Sequence, residues 1–329
     1  MIVDLPDTTT SKISKKITSL REQGGVIALG RVLTLVVVTK SGLEEEAIEA
    51  ANEASREHPC RIIVLADAGS EAPNRLDAQI RVGGDAGASE VIVLRGFGEL
   101  AKESESLVAA LLLPDAPIVA WWPHGAPENA CETSIGRIAH RRITDSANEA
   151  DPSAALARIR KTYRAGDTDL AWTRLTNWRL QLAAALDQVD ESPVTAIAVE
   201  GASDSPSTLL LAAWLTLFLD APVQIVADPA GTGIRRVRLS RATGDVQLVR
   251  PGLTIAELTQ PGQPSQRISL PRRSLRDCLA EELRRLDPDD VFGDSVRSIV
   301  TPTREPCLEN PPTKRNSSAS IPEIEDRDA

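Results

Sequence analysis

The chain has 329 residues, 42% of them hydrophobic and 26% charged, the balance of a soluble protein long enough for two domains with sizeable cores. Its net charge of −10 argues against nucleic acid and against an anionic membrane surface as partners, since phosphate-rich surfaces demand clustered Lys and Arg. Four cysteines (Cys60, Cys131, Cys278 and Cys307) stand far apart without a Cys-x-x-Cys spacing, which argues against a disulfide framework and against a zinc site.

The first residues lack the basic and apolar regions of a secretory signal. The strongest apolar run, residues 209–219, is too short for a bilayer, which needs ~20 residues. The expectation is a cytoplasmic protein with reduced thiols. Ile13, Ile17 and Leu20 recur at helical spacing, and Gly24-Gly25 supplies a stop, so residues 1–29 read as an amphipathic N-terminal helix. Residues 32–39 and 61–66 are β-branched strands flanking an acidic helix over 43–56, a parallel βαβ unit. Residues 79–82 and 90–95 add strands, 100–112 a helix, and 118–122 a strand bounded by Pro117 and Pro123. That last strand is apolar at both parities, so both of its faces must be covered, and Trp121 and Trp122 must point to opposite sides.

A short helix over 133–141 and a longer one over 151–163 lead to a polar turn at 166–169. Asp169 is placed as an N-cap, with Trp172, Leu175, Leu182 and Leu186 forming one helical stripe behind it. Arg174 stands four residues before Trp178 and can lie along its ring. After a boundary at 188–193 come a strand at 194–199 and an almost wholly apolar helix at 205–219, opened by Ser205-Pro206. Asp-Ala-Pro then leads into a strand, as it does at 115–117, which suggests two related sheet units. Strands at 234–239, 246–250 and 266–270 follow, separated by Gly-rich turns. Ser274 and Asp277 resemble a capping box before a helix carrying Leu275, Leu279, Leu283 and Leu286. The pattern is α/β: a mostly parallel open sheet over 30–165, a second domain with a mixed, hairpin-bearing sheet over 166–300, and a disordered tail over 301–329.

Motifs for chemistry are sparse. Gly83-Gly84-Asp85-Ala86-Gly87 and Gly231-Thr-Gly233 lack the spacing and the following helix of a phosphate cradle, and read as turns. No G-x-S-x-G or H-E-x-x-H occurs, so the sequence supports no catalytic, cofactor-binding or metal-binding set. Of the three histidines, His58 is squeezed before Pro59 and His140 sits in Ala-His-Arg-Arg. His124 lies at the carboxyl end of a sheet strand, where α/β folds place ligands, and is the best single candidate. Arg236 and Arg238 share one strand face and are candidates for anion binding. The chain has five Trp, three Phe and one Tyr, so four Trp between 121 and 178, with neighbouring arginines, are conspicuous. Trp and Arg dominate binding hot spots, which makes Trp121, Trp122, His124, Asp169, Trp172, Arg174, Trp178 and Arg179 candidate partner-binding residues. At least one of these rings is expected at an interface or groove. Four sealed indoles beside an open cleft of converging ionisable groups would defeat the reading that these rings grip another polypeptide.

Three segments carry a resemblance: His58-Pro-Cys-Arg-Ile-Ile-Val-Leu65, Leu113-Pro-Asp-Ala-Pro-Ile-Val-Ala-Trp-Trp-Pro123 and Asp167-Thr-Asp-Leu-Ala-Trp-Thr-Arg-Leu-Thr-Asn-Trp-Arg179. In this order they resemble the OpcA family of bacterial glucose-6-phosphate dehydrogenase assembly proteins, over roughly residues 10–300. The resemblance implies a non-catalytic partner that promotes assembly or activity of glucose-6-phosphate dehydrogenase, with NADPH made by that partner. Residues 118–124 and 169–179 would then help form the docking surface. The alternative is a sugar-phosphate-binding sensor or enzyme using a site near His124 or the Arg236 face.

Overall fold

Alternation of β-branched runs with amphipathic segments builds two sheets. The computed structural model describes residues 1–24, 32–82, 90–187, 192–228, 231 and 233–299. The chain begins with β1 (Ile2–Leu5), α1 (Thr10–Gly24), β2 (Leu33–Lys40), α2 (Glu44–Ala54), β3 (Cys60–Asp67), β4 (Arg75–Arg81) and β5 (Glu90–Phe97). It continues through α3 (Glu105–Val108), β6 (Ile118–Trp122), α4 (Ser134–Ile138), β7 (Arg141–Thr144), α5 (Pro152–Thr162) and β8 (Asp167–Asp169). These eight strands form one sheet in the order β1-β4-β5-β3-β2-β6-β7-β8. Strands β5, β3, β2, β6, β7 and β8 run parallel, while β4 and β1 close one edge antiparallel. The chain moves from β2 outward to β3 and later returns to the other side of β2 with β6, so the order reverses between β2 and β6.

The remainder comprises α6 (Leu170–Thr173), α7 (Thr176–Leu186), β9 (Val194–Gly201), α8 (Pro206–Leu219), β10 (Val223–Ala227), β11 (Ile234–Arg241), β12 (Val246–Val249), β13 (Ile255–Thr259), β14 (Gln266–Ser269), α9 (Leu275–Arg284) and α10 (Asp290–Ser298). The second sheet has the order β10-β9-β11-β12-β13-β14. Only β9 and β10 pair in parallel, joined across α8; the rest is antiparallel. Burial alternates along β11, β12 and β13, so one face meets the core and the other meets solvent.

The two faces of the first sheet carry separate cores. Trp121 packs with Ala47, Ile48 and Ala51 of α2 and with Cys278, Leu279 and Leu283 of α9. Trp122 packs on the other side with Ile13 and Ile17 of α1, Leu107 and Val108 of α3, and Ile135 of α4. The period-two expectation for this pair therefore holds, and both rings are covered.

Sheet membership does not follow the division at 165/166. β8 lies beyond it yet pairs with β7 in the first sheet, and α9 packs on α2. Arg141 of β7 reaches Glu282 of α9 and donates to the carbonyl of Asp287 at 2.8 Å, which ties the late helix to the early sheet. The structure also adds β1, β7, β8 and β13, none of which carries a long apolar run. The helix expected over 100–112 is instead a 3-10 turn at Gly98–Ala101, the short α3 and a second 3-10 turn at Ala109–Leu111. Gly83–Gly87 and the 301–329 tail lie outside the described residues.

Candidate functional site

A cleft of about 400 Å³ opens where the carboxyl ends of the first sheet face the second sheet. Glu46 comes from the first turn of α2, while Asp145, Ala147 and Asn148 follow β7. Arg174, Leu175 and Trp178 come from the α6–α7 junction; Ser205 and Ser207 from the start of α8; Gly233 and Ile234 from the start of β11. Arg250, Arg272, Arg273 and Leu275 complete the wall. The Asn148 side chain donates to the carbonyl of Pro123 at 3.1 Å, which places the cleft beside the end of β6. This is the crevice at a topological switch point, the customary ligand position of open α/β sheets.

The charges of the cleft differ in how they are answered. Arg174 donates to both oxygens of Asp145, at 2.6 and 2.7 Å. Burial opposes the Arg174 charge, but the Asp145 carboxylate outweighs it and raises the pKa above the ordinary guanidinium value. Arg273 pairs with Glu281 and donates to the carbonyl of Thr173 at 2.8 Å. Arg250 is different. It is 8% exposed, donates among the described residues to the carbonyls of Leu270 and Ile234 at 3.3 and 3.2 Å, and lies 5.2 Å from the Trp178 ring centroid. No carboxylate among the described residues pairs with it. Burial, and then the nearby Arg272 charge, lower its pKa to about 10.

Asp169 anchors the floor behind the cleft. It caps α6 by accepting from the Ala171 amide at 2.9 Å. It also accepts from the Thr144 hydroxyl at 2.7 Å and from the Ser146 amide and hydroxyl at 2.9 and 2.8 Å. Burial, and then the Asp145 charge, push its carboxyl up to about 6. Asp169 thus fixes the loop that presents Asp145 and Asn148.

The four conspicuous indoles are sealed. Trp121, Trp122, Trp172 and Trp178 are 0%, 2%, 1% and 3% exposed. The expectation that one is a surface anchor, and with it the reading of these four rings as the grip on another polypeptide, is corrected: strands buried on both faces and helices packed between the sheets leave the rings no solvent, beside an open cleft lined by ionisable groups. Trp178 alone of the four borders the cleft, as part of its apolar wall. Arg174 does not lie along Trp178; the Asp145 carboxylate attracts it more strongly than a ring quadrupole does. Instead Arg179 stacks 3.7 Å over Trp172, whose Nε1 donates to Asp289 at 2.9 Å.

His124 is half-buried and not in the cleft wall, but its Nδ1 lies 2.7 Å from the side-chain nitrogen of Asn148, which is. His140 accepts from the Ile118 amide at 3.2 Å at the other end of β6. Arg236 and Arg238 stand away from the cleft and face Glu200 at 3.4 Å and Asp245 at 3.9 Å. Sequence reasoning missed Ser205, Ser207, Arg250, Arg272 and Arg273. Of these, Arg250 carried a faint signal: an arginine at the end of an apolar strand, just before Pro251-Gly252. Among the described residues no group of three or more His, Cys, Asp or Glu is placed to hold a metal ion. No helix there is long and apolar enough to cross a membrane.

Residues 51–161 match the family model described as the glucose-6-phosphate dehydrogenase subunit N-terminal domain, and residues 165–296 match that of the C-terminal domain. The chain belongs to the OpcA family. The two matches of this OpcA-type chain are separated by residues 162–164, between the end of α5 and β8. A direct search of curated proteins finds no match. Among solved structures, an oxidoreductase from Sinorhizobium meliloti is 10% identical with a TM-score of 0.42, covering 81% of this chain and 94% of its own. Glucose-6-phosphate 1-dehydrogenase from Mycobacterium avium is 12% identical with a TM-score of 0.42, covering 82% and 91%. A UDP-N-acetylglucosamine 3-dehydrogenase from Acidithiobacillus ferrooxidans is 12% identical with a TM-score of 0.38, covering 80% and 95%.

Proposed function

We propose that this OpcA family member is a non-catalytic cytoplasmic subunit that assembles with glucose-6-phosphate dehydrogenase and activates it, supporting NADPH production in the oxidative pentose phosphate pathway. The observation that carries the reading is the pair of family matches, which together run from residue 51 to residue 296. The chain needs only to bind the assembled, active dehydrogenase better than its other states to shift that population.

With the four indoles of 121–178 sealed, the docking surface passes to the fifth. Trp214 of α8 is only partly buried, its ring centroid lies 5.8 Å from that of Phe218, and Phe218 and Leu217 are 58% and 43% exposed. An exposed aromatic pair beside a leucine on one helix end is the kind of anchor that carries binding energy. Asp169, Arg174, Arg179 and His124 support the reading less directly, by fixing the segments between the sheets. The test is to mix purified dehydrogenase with this chain and follow mass and rate together. A heavier complex with a higher rate supports the reading. A heavier complex at unchanged rate leaves assembly without activation, and an unchanged mass defeats it.

A further inference from the structure

The cleft between the sheets has the construction of a binding site in its own right. Of the arginines in its wall, Arg174 holds Asp145 and Arg273 holds Glu281, while Arg250 pairs with no carboxylate among the described residues. Arg250 is a buried cation held by two long carbonyl contacts and a ring face. A charge withdrawn from water without a counter-ion is strongly unfavourable, so its retention calls for an anion from outside the chain.

A second feature, independent of Arg250, faces the same space. The amino end of α8, a helix of 14 residues, opens on the cleft through Ser205 and Ser207. Ser205 occupies the N-cap position, yet its hydroxyl makes no capping bond, and Pro206 follows at the first helical position. The Thr208 amide is taken by the Ser205 carbonyl at 3.0 Å and the Ser207 hydroxyl by the Ala171 carbonyl at 2.8 Å, so this end offers an anion the Ser205 hydroxyl, the Ser207 amide and the positive end of the helix dipole. Gly233 lines the same wall with φ of +150°, a conformation that residues with a side chain rarely adopt. The sequence offered no helix after Gly231-Thr-Gly233; the fold supplies one from residues upstream. Leu175 and Trp178 give an apolar wall, and Asn148 a polar group between the cleft and His124. A volume of about 400 Å³ lies near the lower end of small-molecule pockets, ~300–1,000 Å³.

We propose that this cleft binds a compact phosphate monoester of sugar-phosphate size, with Arg250 and the amino end of α8 receiving the phosphate and Asn148 meeting a hydroxyl. Arg174, locked onto Asp145, shapes the mouth. The ligand sits across both sheets, so it couples their relative placement to the level of a small anion.

Calorimetric titration of the isolated full chain tests this without the dehydrogenase, so its outcome is separate from that of the assembly reading. The probes are inorganic phosphate, glucose 6-phosphate, NADP⁺ and uncharged glucose. Glucose 6-phosphate is expected to bind at least tenfold more tightly than glucose or NADP⁺, with inorganic phosphate competing for the same site. Two variants follow. Arg250→Met removes an unanswered buried charge and is expected to melt no lower than the parent. Ser205→Asp caps α8 with its own carboxylate. Each is expected to weaken glucose 6-phosphate binding at least tenfold. Equal binding of glucose and glucose 6-phosphate, tighter binding of NADP⁺, or undiminished binding by both folded variants would overturn the proposal.

Discussion

Arg174 holds Asp145 through both terminal nitrogens, at 2.6 and 2.7 Å, and so ties the loop after β7 to the junction between α6 and α7. The Asp145 side chain is 3% exposed, too deep for water to replace a lost partner. Arg174→Met is therefore expected to destabilise the protein by about 3–5 kcal/mol, the usual result of stranding a buried charge. Adding Asp145→Asn to that variant should recover part of the loss. Urea unfolding of the two single variants and the double variant measures the coupling; strictly additive losses would disprove it.

Trp121 and Trp122 are both sealed, but they differ in their polar atom. Trp122 Nε1 donates to Glu103 at 3.1 Å, whereas Trp121 Nε1 is buried without an acceptor among the described residues. Replacing either with Ala should cost about 3–5 kcal/mol. Replacement with Phe should separate them: Trp122→Phe removes a hydrogen bond and leaves Glu103 short of a donor, making it the worse by about 1–2 kcal/mol. Denaturant midpoints of the two Phe variants decide the matter.

Asp169 makes stability depend on pH in an unusual sense for a carboxylate. Its folded value of about 6 lies above the ordinary 3.8, so between those values the folded chain binds a proton that the unfolded chain releases. The associated stabilisation is complete below the ordinary value and disappears as pH rises through about 6. Asp169→Asn cannot titrate. The stability gap between parent and variant should therefore be larger at pH 4 than at pH 7, by roughly 2 kcal/mol. A gap independent of pH would show that Asp169 titrates normally.

Phe218 and Leu217 stand exposed beside Trp214. If this helix end is the dehydrogenase anchor, Phe218→Ser should weaken the complex by about 2 kcal/mol or more. The folding free energy of the isolated chain should move by no more than about 0.5 kcal/mol. Comparing complex mass across a concentration series with the melting of the free variant reads both quantities.

Much of the scaffold was legible from local pattern alone. The doubly apolar run 118–122 required cover on both faces and sent Trp121 and Trp122 to opposite cores, which is where they lie. Asp169 was legible as an N-cap, and Ser274 with Asp277 as a capping box, because caps are satisfied within three residues. The three-residue strand β8 was not legible. It has no apolar period, and its place at the sheet edge is secured by Arg142 gripping Asp167 and by Thr144 bonding to the Thr168 carbonyl.

By itself, then, the sequence determined the α/β class, the two sheets and the family, since these rest on periodicity, capping and residue order within short windows. Whether an indole is exposed or sealed depends on what packs over it from elsewhere in the chain, such as α9 arriving over Trp121 from more than 150 residues away. The cleft is a still clearer case. Glu46, Asp145, Arg174, Ser205, Arg250 and Arg272 belong to separate segments, and no local pattern records that they converge. Only the packing of helices between the two sheets decided that an arginine without a carboxylate and a helix without a side-chain cap would share the same space.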